Sequence, residues 1–443
     1  MADNDTSARA VQVPQHRALR AARLGGMALN VAGNMAARRA QGFLSGERRN
    51  LRDLLMTPGN IARITGELAR MRGAAMKLGQ LISMDAGDVM PPELAQIMAR
   101  LRADADFMPP AQLKKVLTQA WGPDWLRQFR HFNVRPIAAA SIGQVHRAQL
   151  KDGRDVAIKV QYPGVARSID SDVANVAALV KLSGLIPKGF EIAPYVEEAR
   201  KQLHDETDYL LEADHLRAFE GLLAASDRYE LPVVHDDFTR RDVLVMSYID
   251  SQPLEALAEL DQGLRDRIAA DLIDLVLREL FDFGIVQSDP NFANFRFNPR
   301  SERLVLLDFG ATRQLDATII DEYRDLIAAG IAQDIAGMQK AAARLGLWDS
   351  TTRDDHVDQL TDMMGLVFAT LNGPEPYDFA DQRLTQQMNA AGIKLAESGF
   401  VPPPVPMDVL FIQRKLAGIF LIATNLGAKV DLGQLVMRRL QTE

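Results

Sequence analysis

Three residues in the second half of the chain have the types and the spacing that phosphoryl transfer requires. Asp289 and Asn294 lie five positions apart in QSDPNFANF, and Asp308 follows fourteen positions later, at the end of the apolar run RLVLLDF. Carboxylate and amide oxygens are ligands that Mg²⁺ accepts, and Mg²⁺ bridges phosphate oxygens during γ-phosphoryl transfer. We predict that Asn294 and Asp308 hold Mg²⁺, and that Asp289 orients the attacking hydroxyl or water and accepts its proton.

A lysine on a predicted strand is suited to binding the phosphates. In VAIKV, Ala157 and Lys159 share one face of the strand, because successive side chains point to opposite sides. We expect Lys159 to contact the α- and β-phosphates and to pair with a carboxylate from a following helix. The segment HDETDYLLEADHL offers two such carboxylates, Glu206 and Glu212, and its pattern alone leaves both open.

An alanine-rich segment precedes this strand, where a glycine-rich phosphate loop would be expected. Its residues are Ala138, Ala139, Ala140, Ser141, Ile142 and Gly143. Alanine does not readily adopt a positive φ and restricts the loop more than glycine does. We therefore predict a stiff flap over the nucleotide, with a tuned ATP-to-ADP preference and slow turnover. Met246, on the strand-like run 242–249, is a further predicted nucleotide contact.

Lys77 and Gln80 form a separate polar pair, three positions apart on one face of a helix that apolar spacing predicts over 61–84. Gly79 lies between them and costs the helix ~1 kcal/mol relative to alanine. A glycine at this place indicates that another backbone approaches closely. By spacing alone, the pair would also fit an ordinary solvated helix surface.

The elements that must position these residues indicate an α+β fold. Two strands flank the turn signal Asp152-Gly153, a third covers 242–249, and the chain after Ser251-Gln252-Pro253 reads as almost wholly helical except for 303–309. We predict four parts: a basic tail or amphipathic segment (1–50), a helical N-terminal extension (51–130), a small sheet-containing lobe (131–250) and a larger helical lobe (251–443).

Composition excludes several classes of function. The net charge of −7 argues against a general nucleic-acid binder, and the absence of cysteine excludes disulfides, thiol catalysis and iron–sulfur clusters. No Walker A, G-x-S-x-G, G-x-G-x-x-G or H-E-x-x-H motif occurs. The most apolar stretch, 409–428, is interrupted by Gln413-Arg414-Lys415, which predicts a buried helix rather than a transmembrane one.

The segment 16–46 contains five arginines and no acidic residue around a weakly apolar run. It fits a basic surface helix or disordered tail. It also fits an interfacial helix attracted to anionic lipid.

Taken together, these motifs resemble the UbiB (AarF-type) family of atypical protein-kinase-like proteins over about residues 60–430. The matching segments are K-x-G-Q at 77–80, AAASIGQVHRA at 138–148, VAIKVQYPGV at 156–165, E-x-D at 206–208 and the Asp289, Asn294 and Asp308 set. The resemblance implies a bilobal protein-kinase-like fold with a small β-containing N-lobe, a mainly helical C-lobe and a helical N-terminal extension packed over the nucleotide site.

The resemblance also assigns roles and partners. Lys77 and Gln80 would lie over the nucleotide, with Glu206 engaging Lys77 and Glu212 pairing with Lys159. It implies ATP or ADP and Mg²⁺ as cofactors, with ATP hydrolysis or phosphorylation of a small molecule or lipid, in support of ubiquinone or other isoprenoid-lipid metabolism. A lipid or isoprenoid/quinone intermediate is the expected partner, nucleic acid is not, and a homo-oligomer is allowed. The expected location is cytoplasmic, with peripheral contact to the inner face of a membrane through 16–46.

One segment departs from the family pattern. Members typically read H-x-D-P-H-P-x-N where this chain reads QSDPNFAN at 287–294, so we expect an altered loop geometry with the metal and base residues kept. The alternative reading is a nucleotide-sensing pseudokinase that binds lipid or partner proteins without turnover. A conventional protein kinase is disfavoured, because helical pattern resumes at Ala317, soon after Asp308-Phe309-Gly310, without an A-P-E motif.

Overall fold

An antiparallel sheet of five strands organises the first of two compact units. The computed structural model describes residues 68, 71–86, 107–140, 142–182, 191–259 and 261–440; the segment 16–46 and Ser141 lie outside them. The first unit consists of the described residues of Met1–Asp214 together with Val233–Tyr248. The second consists of those of His215–Pro232 and Ile249–Glu443. The four-part division predicted from the sequence stays a prediction.

The described residues form short strands and longer helices. The strands are β1 (Phe129–Phe132), β2 (Ala138–Ala139), β3 (Gly143–Leu150), β4 (Asp155–Gln161), β5 (Tyr229–Glu230), β6 (Val243–Ser247), β7 (Gln252–Pro253), β8 (Ile285–Gln287), β9 (Phe295–Asn298), β10 (Arg303–Leu306), β11 (Thr312–Gln314), β12 (Tyr377–Asp378) and β13 (Lys429–Val430). The helices are α1 (Arg72–Ala86), α2 (Pro110–Trp121), α3 (Val165–Leu182), α4 (Ala193–Glu206), α5 (Tyr209–Leu223), α6 (Gln262–Arg278), α7 (Ala317–Ile331), α8 (Ile335–Arg344), α9 (Asp354–Leu371), α10 (Arg383–Glu397), α11 (Met407–Leu426) and α12 (Leu432–Leu440).

The sheet of the first unit has the order β1-β3-β4-β6. The short strand β2 pairs with the start of β3, at Gln144 and Val145. The hairpin between β3 and β4 turns at Asp152-Gly153 as predicted, and Gly153 has a φ of 99°, which a side chain would disfavour. Val156, Ile158 and Val160 are fully buried on one side of β4. Because successive side chains of a strand point to opposite sides, Lys159 lies on the other side of β4 from these three residues, and it is buried there too.

Helices cover the sheet and one another within the first unit. Helix α1 packs against α3 and α4. Helix α2 begins at Pro110, whose fixed φ suits the first helical position. At its other end the indole Nε1 of Trp121 donates to the carbonyl oxygen of Phe238 at 2.7 Å. The aromatic contacts around Trp121, Trp125 and Phe129 complete this core.

The second unit is mainly helical but contains more strand than the sequence predicted. A four-stranded sheet has the order β5-β10-β9-β7, and two-stranded pairs form between β8 and β11 and between β12 and β13. The prediction that 303–309 is the one strand in this region was wrong. The missed strands have two to four residues each, too few to show an alternating pattern. Helix α7 begins at Ala317 as predicted, where the Asp316 carboxylate accepts from the Thr318 N–H at 2.8 Å.

Helix α11 is, among the described residues, the one helix whose length and composition would allow it to cross a bilayer. Its residues Val409, Phe411, Ile419 and Ile422 are buried. Lys415, at its middle, is 1% exposed and ion-paired within the second unit. We assign α11 to the core of that unit, as the interruption by charged residues predicted.

Candidate functional site

The lysine of β4 is paired with one of its two candidate glutamates. Lys159 Nζ donates to both carboxylate oxygens of Glu212 at 2.8 and 2.9 Å, and both side chains are buried. Glu212 comes from the first turn of α5, and the ring of Tyr209, from the same turn, lies 5.2 Å from the ammonium. Two parallel bonds in a buried site hold the lysine in one orientation.

The other glutamate contacts the lysine of the K-x-G-Q motif. Glu206, at the end of α4, forms an ion pair with Lys77 of α1, and Lys77 is itself buried. Gln80 lies one turn further along α1 and is half-buried. The two lysine–glutamate pairs of the first unit are thus distinct, and they join Lys77 to Glu206 and Lys159 to Glu212, the pairing that the resemblance implied.

The alanine-rich segment contributes the short strand β2. Ala138 and Ala139 are exposed on β2 and pair with Val145 and Gln144 of β3, and the Ala140 N–H donates to the Gly143 carbonyl oxygen at 2.8 Å. Ile142 is buried, and Met246 is buried on β6 opposite Ala157 of β4.

Gly143 meets a different requirement from the glycines of a flexible loop. A Cβ at this position would lie 2.4 Å from the Val160 carbonyl oxygen and 2.9 Å from the Tyr209 hydroxyl. Two neighbouring elements, β4 and α5, therefore approach the backbone too closely for any side chain. The glycine serves packing beside Lys159 rather than a positive φ.

In the second unit, hairpin geometry brings together the three residues predicted to carry the chemistry. Strand β8 pairs with β11, and the Ser288 N–H donates to the Ala311 carbonyl oxygen at 2.9 Å. Asn294 lies in a short 3₁₀ turn before β9, and its carbonyl oxygen accepts from the Leu307 N–H at 3.1 Å. The backbone thus ties the loop 288–294, here called the catalytic loop, to the residues on either side of Asp308.

The side chains of Asn294 and Asp308 suit a hard cation. Asn294 Nδ2 donates to the Asp289 carbonyl oxygen at 3.0 Å. This leaves the amide oxygen of Asn294 as the acceptor, and no hydrogen bond to it is found among the described residues. Asp308 Oδ1 accepts from the Gly310 N–H at 3.0 Å. Asn294 and Asp308 also line one small cavity. An amide oxygen and a carboxylate are ligand types that fit Mg²⁺.

Sequence reasoning missed a group of residues beneath this loop. Arg414 Nη2, from α11, donates to Asp289 Oδ1 at 2.8 Å. Lys415 Nζ donates to the carbonyl oxygen of Gln287 at 2.8 Å and to its Oε1 at 3.0 Å. The signal was present, since these two charges interrupt an apolar helix. The sequence does not show which distant segment they contact.

Burial dominates the electrostatics under the loop. Glu279 and Lys415 are each 1% exposed, and their closest nitrogen–oxygen distance is 3.0 Å. Loss of hydration raises the pKa of Glu279, and the adjacent Lys415 ammonium acts in the opposite direction. Glu279 also begins a π-helical turn, Glu279–Phe283, directly after α6. Such turns occur frequently at functional sites.

Comparison with known proteins gives a consistent family signal. The sequence model of the ABC1 atypical kinase-like domain matches residues 100–342. The chain is 35% identical to atypical kinase COQ8, mitochondrial, of Saccharomyces cerevisiae over 96% of this chain and 84% of the relative. It is 37% identical to atypical kinase coq-8, mitochondrial, of Caenorhabditis elegans, again over 96% of this chain, but it spans 57% of that relative's length.

One solved structure supports the fold. The complex of Rv3197 with erythromycin from Mycobacterium tuberculosis superposes with a TM-score of 0.60 at 24% identity, covering 83% of this chain and 92% of the other. Together with the antiparallel sheet of the first unit and the helical second unit, the family match identifies a protein-kinase-like fold.

Proposed function

Because this chain belongs to the ABC1 family of atypical kinase-like proteins, we propose that it binds ATP or ADP with Mg²⁺ and transfers the γ-phosphoryl group of ATP. The acceptor is water, a small molecule or a lipid. The observation that carries the proposal is the buried pair of Lys159 and Glu212, at 2.8 Å. A buried ion pair contributes little net stability over an apolar pair, so a lysine held in this way is better explained by a bound anion.

The first unit supplies the groups that contact the nucleotide. Lys159 binds the α- and β-phosphates, and Glu212 keeps its ammonium in place. The segment 138–143 covers the phosphates, and its narrow range of conformations slows the exchange of bound nucleotide. Lys77 and Gln80 of α1 act on the same nucleotide, with Glu206 orienting Lys77.

Three further residues are the proposed metal ligands and base. Asn294 and Asp308 hold Mg²⁺, which when bound neutralises charge on the phosphate oxygens. The oxygen of the attacking hydroxyl or water bonds to the γ-phosphorus, and Asp289 accepts the proton that this oxygen loses. The bond from that phosphorus to the β,γ-bridging oxygen breaks, and ADP leaves with the bond's electron pair.

The proposed setting is lipid metabolism. The yeast and nematode relatives carry COQ8 names and the word mitochondrial. We propose that the protein supports the metabolism of ubiquinone or another isoprenoid lipid and that it lies at the periphery of a membrane. The segment 16–46, outside the described residues, is the part whose composition suits anionic lipid.

Nucleotide binding tests the proposal most economically. Wild type and Lys159→Ala are titrated with ATP and ADP by calorimetry, with and without Mg²⁺ and anionic liposomes. We expect Mg²⁺-dependent binding to the wild type that the variant loses. Equal binding by both proteins would contradict the assignment of Lys159.

A specific observation favours a second function, nucleotide sensing without turnover. The Asp289 carboxylate, the proposed base, already pairs with Arg414. If sensing is the function, Asp289→Ala complements a strain lacking the protein whereas Lys159→Ala does not. If turnover is required, neither variant complements.

A further inference from the structure

Helix α11 contacts the catalytic loop and its preceding strand through three residues. Arg414 binds the Asp289 carboxylate and Lys415 binds Gln287. A Cβ at Gly418 would lie 2.5 Å from the Cβ of Pro290, so α11 and the loop touch with no room for a side chain. The helix is therefore a support for the loop and not only part of the core.

Gln287 connects α11 to both Asp289 and Asp308. Its Nε2 donates to the carbonyl oxygen of Asp289 at 2.9 Å and to that of Asp308 at 3.2 Å. Its Oε1 accepts from Lys415. The buried side chain of Gln287 thus links the backbone of Asp289, the proposed base, to that of Asp308, a proposed metal ligand.

The bonds made by Gln287 depend on its being an amide. An amide offers two N–H donors on one nitrogen and an oxygen acceptor on the other side. A histidine, which the family pattern has at this place, offers two single nitrogens. It cannot donate to two carbonyls while accepting from Lys415.

The ammonium of Lys415 uses its three donors within this group. They reach the Gln287 carbonyl oxygen, Gln287 Oε1 and the Glu279 carboxylate. Taking a lysine and a glutamate out of water costs several kcal/mol for each ion, and apolar residues of similar volume would stabilise the core as well. The pair is therefore explained better by the orientation that it imposes on Gln287 than by stability.

We propose that Glu279, Lys415 and Gln287 form a clamp that fixes the spacing of Asp289 and Asp308 and so positions the metal ligands and the base. They are positioning residues, because they act through the catalytic loop and the Asp308 backbone. The inference rests on the proposed function for its catalytic consequence, while the local ordering of the loop is independent of turnover.

Three variants separate positioning from stability. Gln287→Met keeps the length of the side chain and removes its hydrogen bonds. Lys415→Met leaves Glu279 buried and unpaired. The double variant Lys415→Met/Glu279→Leu removes both charges, so it should recover folding stability without restoring the hold on Gln287. Arg439→Met is the matched control, since it breaks ion pairs with Asp274 at 2.6 Å and with Asp282 at 2.9 Å in the same unit, and none of these three residues belongs to the clamp or to the catalytic loop.

The readouts are the Mg²⁺ concentration for half-maximal ATP turnover and amide hydrogen exchange over 285–312. For Gln287→Met and the double variant we expect half-saturation to rise by roughly 10- to 100-fold, as for other residues that support metal ligands. We also expect faster exchange over 285–312 and no change elsewhere. Arg439→Met should alter neither beyond its effect on global stability.

Two outcomes would overturn the clamp. One is unchanged exchange over 285–312 in Gln287→Met. The other is a double variant that regains both stability and wild-type Mg²⁺ dependence, because the pair would then be structural only. If the wild type shows no ATP turnover, the proposed function fails, and the exchange comparison still decides whether the clamp orders the loop.

Discussion

Arg414 holds the carboxylate of Asp289 in an ion pair at 2.8 Å, with both side chains largely shielded from solvent. The guanidinium sets the direction of the carboxylate and places a positive charge beside it. We predict that Arg414→Gln lowers kcat for ATP turnover by roughly 10²- to 10³-fold, the loss that follows removal of one positioned donor at other sites, with little change in KM for ATP.

The same prediction has a sensitive control. Arg353→Gln breaks an exposed pair with Asp355 in the second unit and should leave kcat unchanged, because exposed pairs contribute little. Partial recovery in Arg414→Lys would support a role for the charge itself. A rise in kcat for Arg414→Gln would instead mean that the ion pair restrains the base.

Lys159 and Glu212 make the next prediction, on stability and binding together. Lys159→Met removes the ammonium that is paired with the buried Glu212 carboxylate and should cost about 3–5 kcal/mol in the free energy of unfolding. The double variant Lys159→Met/Glu212→Gln should recover most of that loss but still fail to bind Mg-ATP. Urea denaturation and calorimetry measure the two effects, and nucleotide binding by the double variant at wild-type affinity would refute the role of Lys159.

Gly143 gives a prediction about packing. Gly143→Ala places a methyl group against the Val160 carbonyl and the Tyr209 hydroxyl, so it should destabilise the first unit by about 1–3 kcal/mol. Ala139→Gly, on the exposed strand β2, is the comparison and should cost about 0.5–1 kcal/mol. Chemical denaturation of both proteins distinguishes them, and equal stability of Gly143→Ala and wild type would show that the contact is not constraining.

His146 makes the stability of the first unit depend on pH. The fully buried imidazole contacts Gln144 Nε2 and the Asn133 carbonyl oxygen, each at 2.8 Å, and loss of hydration lowers its pKa. The unfolded imidazole, with a pKa of about 6.5, binds a proton before the folded one does. The free energy of unfolding should therefore fall as the pH drops from about 7 through 6.5, until the folded group also protonates.

The variant His146→Gln isolates this contribution. His235, whose pKa burial also lowers, is kept in both proteins. Denaturation at a series of pH values should give a shallower slope between pH 7 and 5.5 for the variant. Identical slopes would exclude His146 as a source of the pH dependence.

Residue types and spacing point to the residues proposed to act on the nucleotide more readily than to the residues that contact them. Lys159, Asp289, Asn294 and Asp308 are recognisable because phosphoryl transfer restricts their types and spacing. The hairpin at Gly153 and the start of α7 follow from local turn and capping chemistry. These features depend on residues close together in the chain.

The clamp depends on contacts between distant segments and could not be predicted in the same way. Lys415 contacts Gln287 across more than a hundred residues of chain, and the local sequence around each residue gives no indication of the other. The charged interruption of α11 predicted burial correctly but not its partner. Likewise, the short strands of the second unit are stabilised by their neighbours in the sheet rather than by their own pattern.

ATP turnover by purified wild type against Asp308→Asn tests the central claim most directly. The assay contains Mg²⁺, anionic liposomes and a phenolic activator, and Asp308→Asn removes the carboxylate proposed to bind Mg²⁺ at nearly constant size. We predict Mg²⁺-dependent release of ADP by the wild type and its loss in the variant. Wild-type turnover no higher than that of Asp308→Asn would contradict phosphoryl transfer by this chain.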